Sequence, residues 1–206
     1  MSSTNRGSER SPNDFYETPG WLTRLALRTV FAPGGHKLGV LEPAAGTGAI
    51  TREARAYWPS AVVNEIDIVR TGKDFLAIPT HPIYDIVITN PPFSLAMEFV
   101  QRAHRWACYT PTATVAMLLP LNFLGSEKRA VWLRTHPPAL YVSPQRPSFT
   151  GGKTDSINYA WMMWQPHNPN FVPKVEILGL PTKAEVKADN LRIREAIRAA
   201  LKESDA

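Results

Sequence analysis

The pattern of apolar and polar positions divides the first two thirds of the chain into alternating helices and strands. Residues 21–30 carry apolar side chains at helical spacing, and residues 49–57 do too, so both segments predict helices. Short apolar runs rich in β-branched residues predict strands, which fall at residues 37–41, 61–63, 83–89 and 112–119. Because these runs are apolar on both faces, the pattern is typical of a parallel sheet covered by helices.

Further elements are predicted from the middle of the chain onward. Ser94 and Ser126 are each followed by helical spacing, so we expect them to cap two helices. Residues 140–143 and 158–164 predict two more strands, and no obvious helix separates them. We therefore expect these two strands to form an antiparallel hairpin at the edge of the sheet.

The C-terminal part of the chain is polar and basic. Residues 166–173 are rich in Pro and Asn and predict a linker. Thr182 and Glu185 have the spacing of a capping box, which predicts a helix after them. The basic residues of this helix are candidates for contact with nucleic acid, although a solvated helix face is the alternative. They are Lys183, Lys187, Arg192, Arg194, Arg198 and Lys202.

Length and composition narrow the class of protein. A chain of 206 residues with 44% hydrophobic residues suits one α/β domain with short extensions. No apolar run approaches the roughly 18 residues of a membrane span, so we expect no contact with a membrane. Residues 1–13 are polar and lack the apolar stretch of a secretory signal, so they predict a disordered arm on a cytoplasmic protein.

The cysteine, the histidines and the net charge say less about the function of the protein. The single cysteine, Cys108, forms no disulfide within the chain and is expected to be a buried thiol in a helical stretch. The five histidines have no metal-ligand spacing, so no metal site is predicted. A net charge of +5 is compatible with a polyanionic partner, but it supports one only if the basic residues lie close to the candidate catalytic residues.

A glycine-containing loop, residues 41–48, joins a predicted strand to a predicted helix. Ligands of open α/β sheets bind at the carboxyl ends of strands, and glycine lets them approach the backbone closely. Glu42, at the strand end, is suited to receive a cationic amino group or a hydroxyl. Since only Gly46 and Gly48 are present, the loop matches neither the dinucleotide pattern nor a phosphate loop. An ordinary turn is the alternative.

Acidic residues also follow the second predicted strand. The two oxygens of a carboxylate there can accept both hydroxyls of a ribose. Glu65 lies nearer the strand end and is the first choice, and Asp67 is the second. A solvated acidic turn is the alternative.

The segment Asn90-Pro91-Pro92-Phe93 follows an apolar strand and is the strongest signal in the sequence. Its prolines end the strand and stiffen the turn, which fixes Asn90 at the carboxyl end of the sheet. An exocyclic amine on a base is a poor nucleophile because its lone pair is delocalised into the ring. The Asn90 side-chain oxygen and the Pro91 carbonyl can accept its two hydrogens, and Phe93 can stack on the base. A turn that only closes the strand is the alternative.

These segments together resemble the class I S-adenosylmethionine-dependent methyltransferases. Residues 41–48 look like motif I of that family, residues 73–76 like motif III, and residues 90–93 like motif IV of the amino-methyltransferases. Residues 15–19, Phe-Tyr-Glu-Thr-Pro, look like motif X, and the order of motifs resembles the gamma type. The resemblance implies S-adenosylmethionine as cofactor and adenine N6 as the methylated group. It also implies a Rossmann-like, mostly parallel seven-stranded sheet with an antiparallel edge hairpin and helices on both faces.

The resemblance also carries over site residues, position by position. The implied catalytic residues are Asn90, Pro91, Pro92 and Phe93. The implied cofactor-binding residues are Tyr16, Thr18, Pro19, Glu42, Ala44, Gly46, Gly48, Glu65, Ile66, Asp74, Phe75 and Asn90. A loop over residues 143–156 resembles motif VIII of DNA adenine methyltransferases, which borders the target base. Arg146 and Lys153 would contact phosphate there and Phe149 the flipped base, although a mobile surface loop is the alternative.

The sequence departs from the family in one respect. Sequence-specific adenine methyltransferases usually carry a separate recognition domain, but only about 40 residues follow the last predicted strand here. We therefore expect short or relaxed sequence specificity, or recognition supplied by a homodimer or a separate specificity partner, as suits a small phage-type enzyme. The predicted division is an arm at 1–13, a catalytic domain at 14–165, and a linker with a basic helix at 166–206.

Three functions remain open on the sequence alone. A DNA adenine-N6 methyltransferase is the first, and DNA is preferred to RNA on the 143–156 loop and the positive charge. An RNA adenine-N6 or protein glutamine methyltransferase is the second. A catalytically silent nucleic-acid-binding module is the third, against which the intact residues Asn90 and Glu42 argue.

Overall fold

A computed structural model of the chain describes residues 17–33, 37–81 and 83–204, with backbone alone at 200, 201, 203 and 204. The predicted arm over residues 1–13 and the candidate residue Tyr16 lie outside the described residues.

Helices and strands alternate along the described chain. The helices are α1 Gly20–Val30, α2 Ala49–Tyr57, α3 Ala96–Trp106, α4 Glu127–Thr135 and α5 Lys183–Ser204. The strands are β1 Gly39–Glu42, β2 Val62–Glu65, β3 Ile86–Thr89, β4 Thr114–Pro120, β5 Ala139–Val142, β6 Tyr159–Trp164 and β7 Val175–Ile177. Short 3₁₀ turns at Phe93–Leu95 and Leu121–Phe123 precede α3 and α4.

The strands form one seven-stranded sheet in the order β2-β1-β3-β4-β6-β5-β7. Six strands run parallel, and β6 runs antiparallel to its neighbours β4 and β5. The predicted mostly parallel sheet and the antiparallel pairing of β5 with β6 are therefore confirmed. The pair does not lie at the edge, however, because β7 pairs with the outer side of β5. The sequence analysis had placed β7 in the linker and C-terminal segment.

Helices cover both faces of the sheet. Leu22 and Ala26 of α1 belong to the hydrophobic core on one face, and Val100 and Ala103 of α3 belong to the core on the other. Strand β6 contributes to both faces, since alternate side chains point in opposite directions. Its two Trp and two Met side chains are all buried, as expected for the centre of a sheet.

The helix starts agree only partly with the sequence prediction. Helix α2 has the predicted bounds, and Thr182 and Glu185 form the predicted capping box, with the Glu185 amide donating to Thr182 Oγ1 at 3.1 Å. Ser94 does not cap α3, because it lies inside the 3₁₀ turn that follows Pro92 and Leu95 takes the capping position. Ser126 precedes α4 as predicted, but its side chain makes no capping hydrogen bond.

The C-terminal helix packs against the start of the first helix. Asp189 of α5 is 3% exposed and accepts hydrogen bonds from the Trp21 amide at 2.6 Å and from Arg24 Nη2 at 2.9 Å. The predicted domain boundary at residue 165 stays a prediction, although β7 and α5 beyond it both contact the rest of the chain.

Cys108 differs from its expected position. It lies after the end of α3 and is half-buried, with Sγ 3.6 Å from Asp85 Oδ1, so the expectation of a fully buried thiol in a helix is wrong. Within the described ranges, no helix combines the length and the apolar character needed to cross a membrane.

Candidate functional site

The carboxyl ends of β1, β2 and β3 bring the predicted cofactor and catalytic segments to one edge of the sheet. Strand β1 ends at Glu42, which pairs in register with Glu65 at the end of β2. Strand β3 ends at Thr89, so Asn90 leaves the sheet at the same edge. Residues distant in sequence thus meet at one edge of the sheet, because parallel strands align their carboxyl ends, and we refer to the region between Glu42, Glu65 and Asn90 as the cleft.

The loop after β1 is held in a fixed shape by backbone hydrogen bonds. Gly46 and Gly48 have positive φ angles of 49° and 78°, a conformation that favours glycine. The Gly46 amide donates to Asp67 Oδ2 at 2.9 Å, and the Ala45 amide donates to the Ile66 carbonyl at 3.1 Å. The loop is thereby tied to the end of β2, where Ile66 was expected near the cofactor. Asp67 serves this connection, so its role here is to hold the loop.

Glu42 is 2% exposed at the end of β1. Its Oε2 accepts a hydrogen bond of 2.8 Å from the Thr51 amide in the first turn of α2. Burial raises the pKa of Glu42 well above its ordinary value, although the hydrogen bond from Thr51 opposes the shift. The carboxyl therefore braces the loop against α2, with one oxygen turned to the helix, and Ala44 lies half-buried beside it.

Glu65 remains the more strongly ionised of the two carboxyl groups. Thr51 Oγ1 donates to Glu65 Oε1 at 2.5 Å, Arg55 lies 3.1 Å from the same oxygen, and Arg70 pairs with Oε2. Burial alone would raise the pKa of Glu65, but the Thr51 hydrogen bond and the charges of Arg70 and Arg55 lower it on balance. Because these groups already occupy both oxygens, a ribose would have to displace Arg70 or Arg55 to bind there.

Asn90 is positioned by the segment before α1. Its Nδ2 donates to Thr18 Oγ1 at 3.1 Å, and Thr18 is itself 4% exposed. Asn90 Oδ1 is buried and has no hydrogen-bond partner among the described residues. Pro91 is buried behind it, while Pro92 is half-buried. Since Thr18 fixes the amide nitrogen, the remaining oxygen is presented as a free acceptor.

Glu17 is a site residue that the sequence analysis did not single out. It is 4% exposed, its Oε1 lies 3.6 Å from Arg52 Nη2, and its Oε2 is buried without a hydrogen-bond partner in the described chain. Burial raises the pKa of Glu17, against the lowering effect of Thr47 and Arg52. Its position next to Thr18 in the sequence was the only signal available, and that signal did not distinguish Glu17 from its neighbours in residues 15–19.

Pro19 is buried and takes the capping position of α1, where its carbonyl accepts the Leu22 amide at 3.1 Å. It therefore fixes the direction in which Glu17 and Thr18 enter the cleft.

Asp74 and Phe75 follow β2 and differ in burial. Phe75 is 2% exposed and packs against Phe99 and Trp106, with its ring centroid 5.2 and 5.5 Å from theirs. Asp74 is half-buried and its Oδ1 accepts the Leu76 amide at 2.8 Å. Phe75 is thus part of the hydrophobic core, and its implied contact with the cofactor stays a prediction.

An aromatic cluster stands beside Asn90. The Phe93 ring lies 5.7 Å from the Tyr159 ring, and the Phe149 ring lies 5.1 Å from Tyr159 on a nearly perpendicular plane. Tyr159 donates from its hydroxyl to Asp155 Oδ2 at 2.8 Å. Phe93 is half-buried, whereas Phe149 is 4% exposed. Phe149 therefore supports the cluster from behind, and its expected contact with a base stays a prediction.

The loop over residues 143–156 follows β5 at the same edge of the sheet. Arg146 and Lys153 are exposed on it, as a phosphate contact requires. Gly151 anchors the loop to α5, because Arg194 Nε donates to its carbonyl at 2.6 Å.

The chain is similar in structure to solved methyltransferases. The methyltransferase subunit of a type I restriction-modification system from Streptococcus thermophilus has a TM-score of 0.60 at 13% identity, over 88% of this chain and 53% of that one. The modification subunit of a proposed type I restriction enzyme from Vibrio vulnificus has a TM-score of 0.58 at 15% identity, over 87% and 49%. A proposed RNA methyltransferase from Pyrococcus horikoshii has a TM-score of 0.53 at 16% identity, over 76% and 91%.

This likeness defines the fold. The chain has the Rossmann-like fold of class I methyltransferases, as the sequence predicted. It spans about half the length of the two restriction-modification subunits. No protein-family model matches the chain, and no curated protein matches it in sequence.

Proposed function

We propose that this protein transfers a methyl group from S-adenosylmethionine to N6 of adenine in DNA, with short or relaxed sequence specificity. The observation that carries the proposal is the state of Asn90, whose amide nitrogen is held by Thr18 while its buried oxygen lacks a partner. A buried acceptor without a partner is costly, so the Asn90 oxygen requires a partner such as a ligand or an ordered water. The likeness to the methyltransferase subunit of a type I restriction-modification system supports the class of reaction.

The cleft has groups that fit the proposed cofactor. The cofactor's methionine end carries an ammonium group, and Glu17 Oε2 is a buried acceptor without a partner near the loop of Gly46 and Gly48. Glu65, whose pKa is lowered, stands at the end of β2 and would take the ribose hydroxyls in place of an arginine. Asp74 would accept a hydrogen bond from the amino group of the cofactor's adenine ring. When bound, S-adenosylmethionine supplies a methyl group already activated by its sulfonium.

The chain's own part in the reaction is to prepare the accepting amine. Asn90 Oδ1 and the Pro91 carbonyl would accept the two hydrogens of the amine, which favours a tetrahedral nitrogen and localises its lone pair. The Asn90 amide has the orientation that this chemistry needs, with Nδ2 donating to Thr18, because a flipped amide would present a donor to the amine. No strong general base is needed before the transfer, since the methyl group is already activated.

The aromatic cluster would hold the base in the orientation that this chemistry requires. Phe93 directly follows the two prolines and would stack on the flipped base. Tyr159, held by Asp155, packs against Phe93 and is itself in contact with Phe149, so it would limit the movement of Phe93. Removing the base from the duplex costs unstacking energy, which this preformed wall would partly offset.

RNA is the second candidate substrate. The likeness to a proposed RNA methyltransferase, which the chain matches over 91% of that protein's length, favours it. The two candidates share the cleft and differ in the nucleic acid that presents the base. A homodimer or a separate specificity partner would supply recognition where the chain lacks a recognition domain.

Product identification tests the proposal. The protein would be incubated with S-adenosylmethionine carrying a labelled methyl group and, separately, with unmethylated duplex DNA, RNA and a protein extract. We expect label in N6-methyldeoxyadenosine after digestion of the DNA, and its incorporation at a rate at least about 10²-fold lower when Asn90→Ala replaces the wild type. Label in N6-methyladenosine from RNA alone, or in methylglutamine from protein alone, would identify the substrate as one of the alternatives. Cofactor binding without transfer to any of them would favour a silent binding module.

A further inference from the structure

Helix α5 presents a stripe of cations to solvent. At about 100° per residue, the side chains of Lys187, Arg194 and Arg198 fall within an arc of about 40°. Lys183 and Lys202 flank them, which widens the arc to about 100°. All five residues are exposed. We refer to these five residues as the basic stripe.

The acidic residues of α5 lie mainly on the opposite side of the helix. Asp189 is buried against α1, where it bonds to Trp21 and Arg24. Glu185 lies 3.3 Å from Arg28 of α1 and closes the capping box. Glu195 is exposed at the margin of the stripe. Because the buried carboxylates are neutralised by α1, the solvent side of α5 keeps a positive field.

The basic stripe lies beside the candidate active site. A Cβ atom on Gly151 would be 2.3 Å from the Asn190 carbonyl oxygen and 2.8 Å from Arg194 Cγ, so the 143–156 loop touches α5 along the stripe. Arg194 Nε also donates to the Gly151 carbonyl. On its other side, α5 holds the first turn of α1, which begins two residues after Thr18.

We propose that the basic stripe binds the phosphate backbone of DNA next to the loop that borders the target base. The inference rests on the proposed function and names the surface that would replace a recognition domain. From residue 183 to residue 202 the stripe spans about 28 Å, which matches about eight phosphates at 3.4 Å along one strand. Contacts with phosphate position a duplex without reading its sequence, which agrees with relaxed specificity.

Neutral substitutions along the stripe test the proposal. The variant K187Q/R198Q/K202Q removes three cations and retains Arg194, whose side chain holds the loop. The matched control, K37Q/R105Q/R134Q, removes three exposed cations from the amino-terminal end of the sheet, far from the cleft. Both variants are checked by circular dichroism and by cofactor affinity, which should equal those of the wild type.

DNA affinity is measured by fluorescence anisotropy of a labelled duplex at 50 and 200 mM salt, without methyl transfer. We expect the stripe variant to bind about tenfold more weakly at 50 mM salt, with a salt slope smaller by about one per removed cation. The control should bind like the wild type. In methyl transfer, the stripe variant should show a raised KM for DNA at a kcat within about twofold, because phosphate contacts act before the chemical step.

The outcomes separate this inference from the proposed function. Equal affinity of both variants, or an equal loss in both, overturns the role of the stripe, even where the wild type methylates DNA. Preferential binding of RNA of the same sequence overturns the choice of DNA as its partner. Stripe-dependent DNA binding without N6-methyldeoxyadenosine supports the stripe and contradicts the proposed function.

Discussion

The cavity at the amino-terminal end of the sheet and the candidate site at its carboxyl end differ in how many of their buried polar atoms lack a hydrogen-bond partner. The amino-terminal end opens into a cavity of about 800 Å³ between α1 and the segment before β7. Its polar groups are largely paired: Asp85 accepts the Gly39 amide at 2.8 Å, and Asn168 donates to Gln165 Oε1 at 2.7 Å. The carboxyl end holds buried polar atoms that lack a partner among the described residues. They are Glu17 Oε2, Thr89 Oγ1, Asn90 Oδ1, Ser148 Oγ and Asn190 Oδ1.

The volume of a cavity alone therefore does not identify a functional site. A buried polar atom without a partner costs about 1–3 kcal/mol, so several at one edge of a sheet imply a ligand or water that meets them. The polar side chains that line the cavity at the other end are not among these atoms, although His104 Nε2, Trp106 Nε1 and His167 Nε2, which lie near that end without lining the cavity, also lack a partner in the described chain. We therefore expect substitutions at the carboxyl end to change function, and substitutions at the amino-terminal end to change stability or nothing.

The largest expected effect is at Asn90. Asn90→Ala should lower the rate of methyl transfer about 10²–10³-fold, the range seen when one preorganised polar group is removed from a catalytic site. The free energy of unfolding should change by no more than about 1–2 kcal/mol, because removal of an unpaired buried oxygen offsets the loss of the hydrogen bond to Thr18. Single-turnover kinetics and urea denaturation measure the two quantities. A variant that is unstable and yet fully active per folded molecule would reverse the comparison.

Glu17→Gln should have the next largest effect. If Glu17 receives the cofactor's ammonium group, its loss should weaken cofactor binding about 10–100-fold, as for a hydrogen bond to a charged group. Isothermal titration calorimetry measures this affinity. Unchanged affinity at pH 7 would exclude Glu17 from the cofactor site.

The same variant should change the pH dependence of stability. Burial raises the pKa of Glu17 above its ordinary value of 4.5, so its contribution to stability is present below pH 4.5 and is lost as the pH rises through the raised pKa. Glu17→Gln should therefore be more stable than the wild type at pH 7, and the difference should shrink towards pH 4. A constant difference across this range would mean that Glu17 titrates normally.

Asp85→Ala tests the paired polar groups of the amino-terminal end. Removal of this carboxylate leaves the Gly39 amide without its acceptor, which should lower the free energy of unfolding by about 1–3 kcal/mol. Methyl transfer per folded molecule should be unchanged. Chemical denaturation and an activity assay on the folded fraction measure both, and a loss of specific activity would place function at this end too.

The smallest effect is expected from filling the amino-terminal cavity. Asn170 is exposed at its margin, and Asn170→Trp adds bulk there. The free energy of unfolding should change by no more than about 0.5 kcal/mol, and the rate of methyl transfer should be unchanged. Lower activity in this variant would show that the cavity takes part in the reaction.

The parts of the fold that the sequence predicted are those with strong local signals. Helix α2 has its predicted bounds because Gly48, with positive φ, marks its start. The start of α3 was misplaced because Pro92 leads into a 3₁₀ turn that includes Ser94, and turn geometry overrode the capping preference of Ser. Strand β7 was missed because it has three residues, and its apolar side chains are 70% and 63% exposed at Val175 and Ile177.

In the candidate site too, residues fixed by their neighbours in sequence were predicted, and residues placed by tertiary contacts were not. Asn90 was predicted because the residues that fix it, two prolines after an apolar strand, are its neighbours in sequence. The contacts of Glu17 with Arg52 and Thr47 depend on tertiary structure, so sequence gave Glu17 no priority over its neighbours. Phe149 resembled an exposed loop residue, but packing against Tyr159 buries it.

The hydrogen bond between the Trp21 amide and Asp189 spans 168 positions of the chain. During synthesis at roughly 5–20 residues per second, Trp21 is therefore made on the order of 10 s or more before Asp189. Until then the first turn of α1 and the side chain of Arg24 lack a partner that both use in the finished fold. We expect the contact between the first turn of α1 and α5 to form only at a late stage of translation.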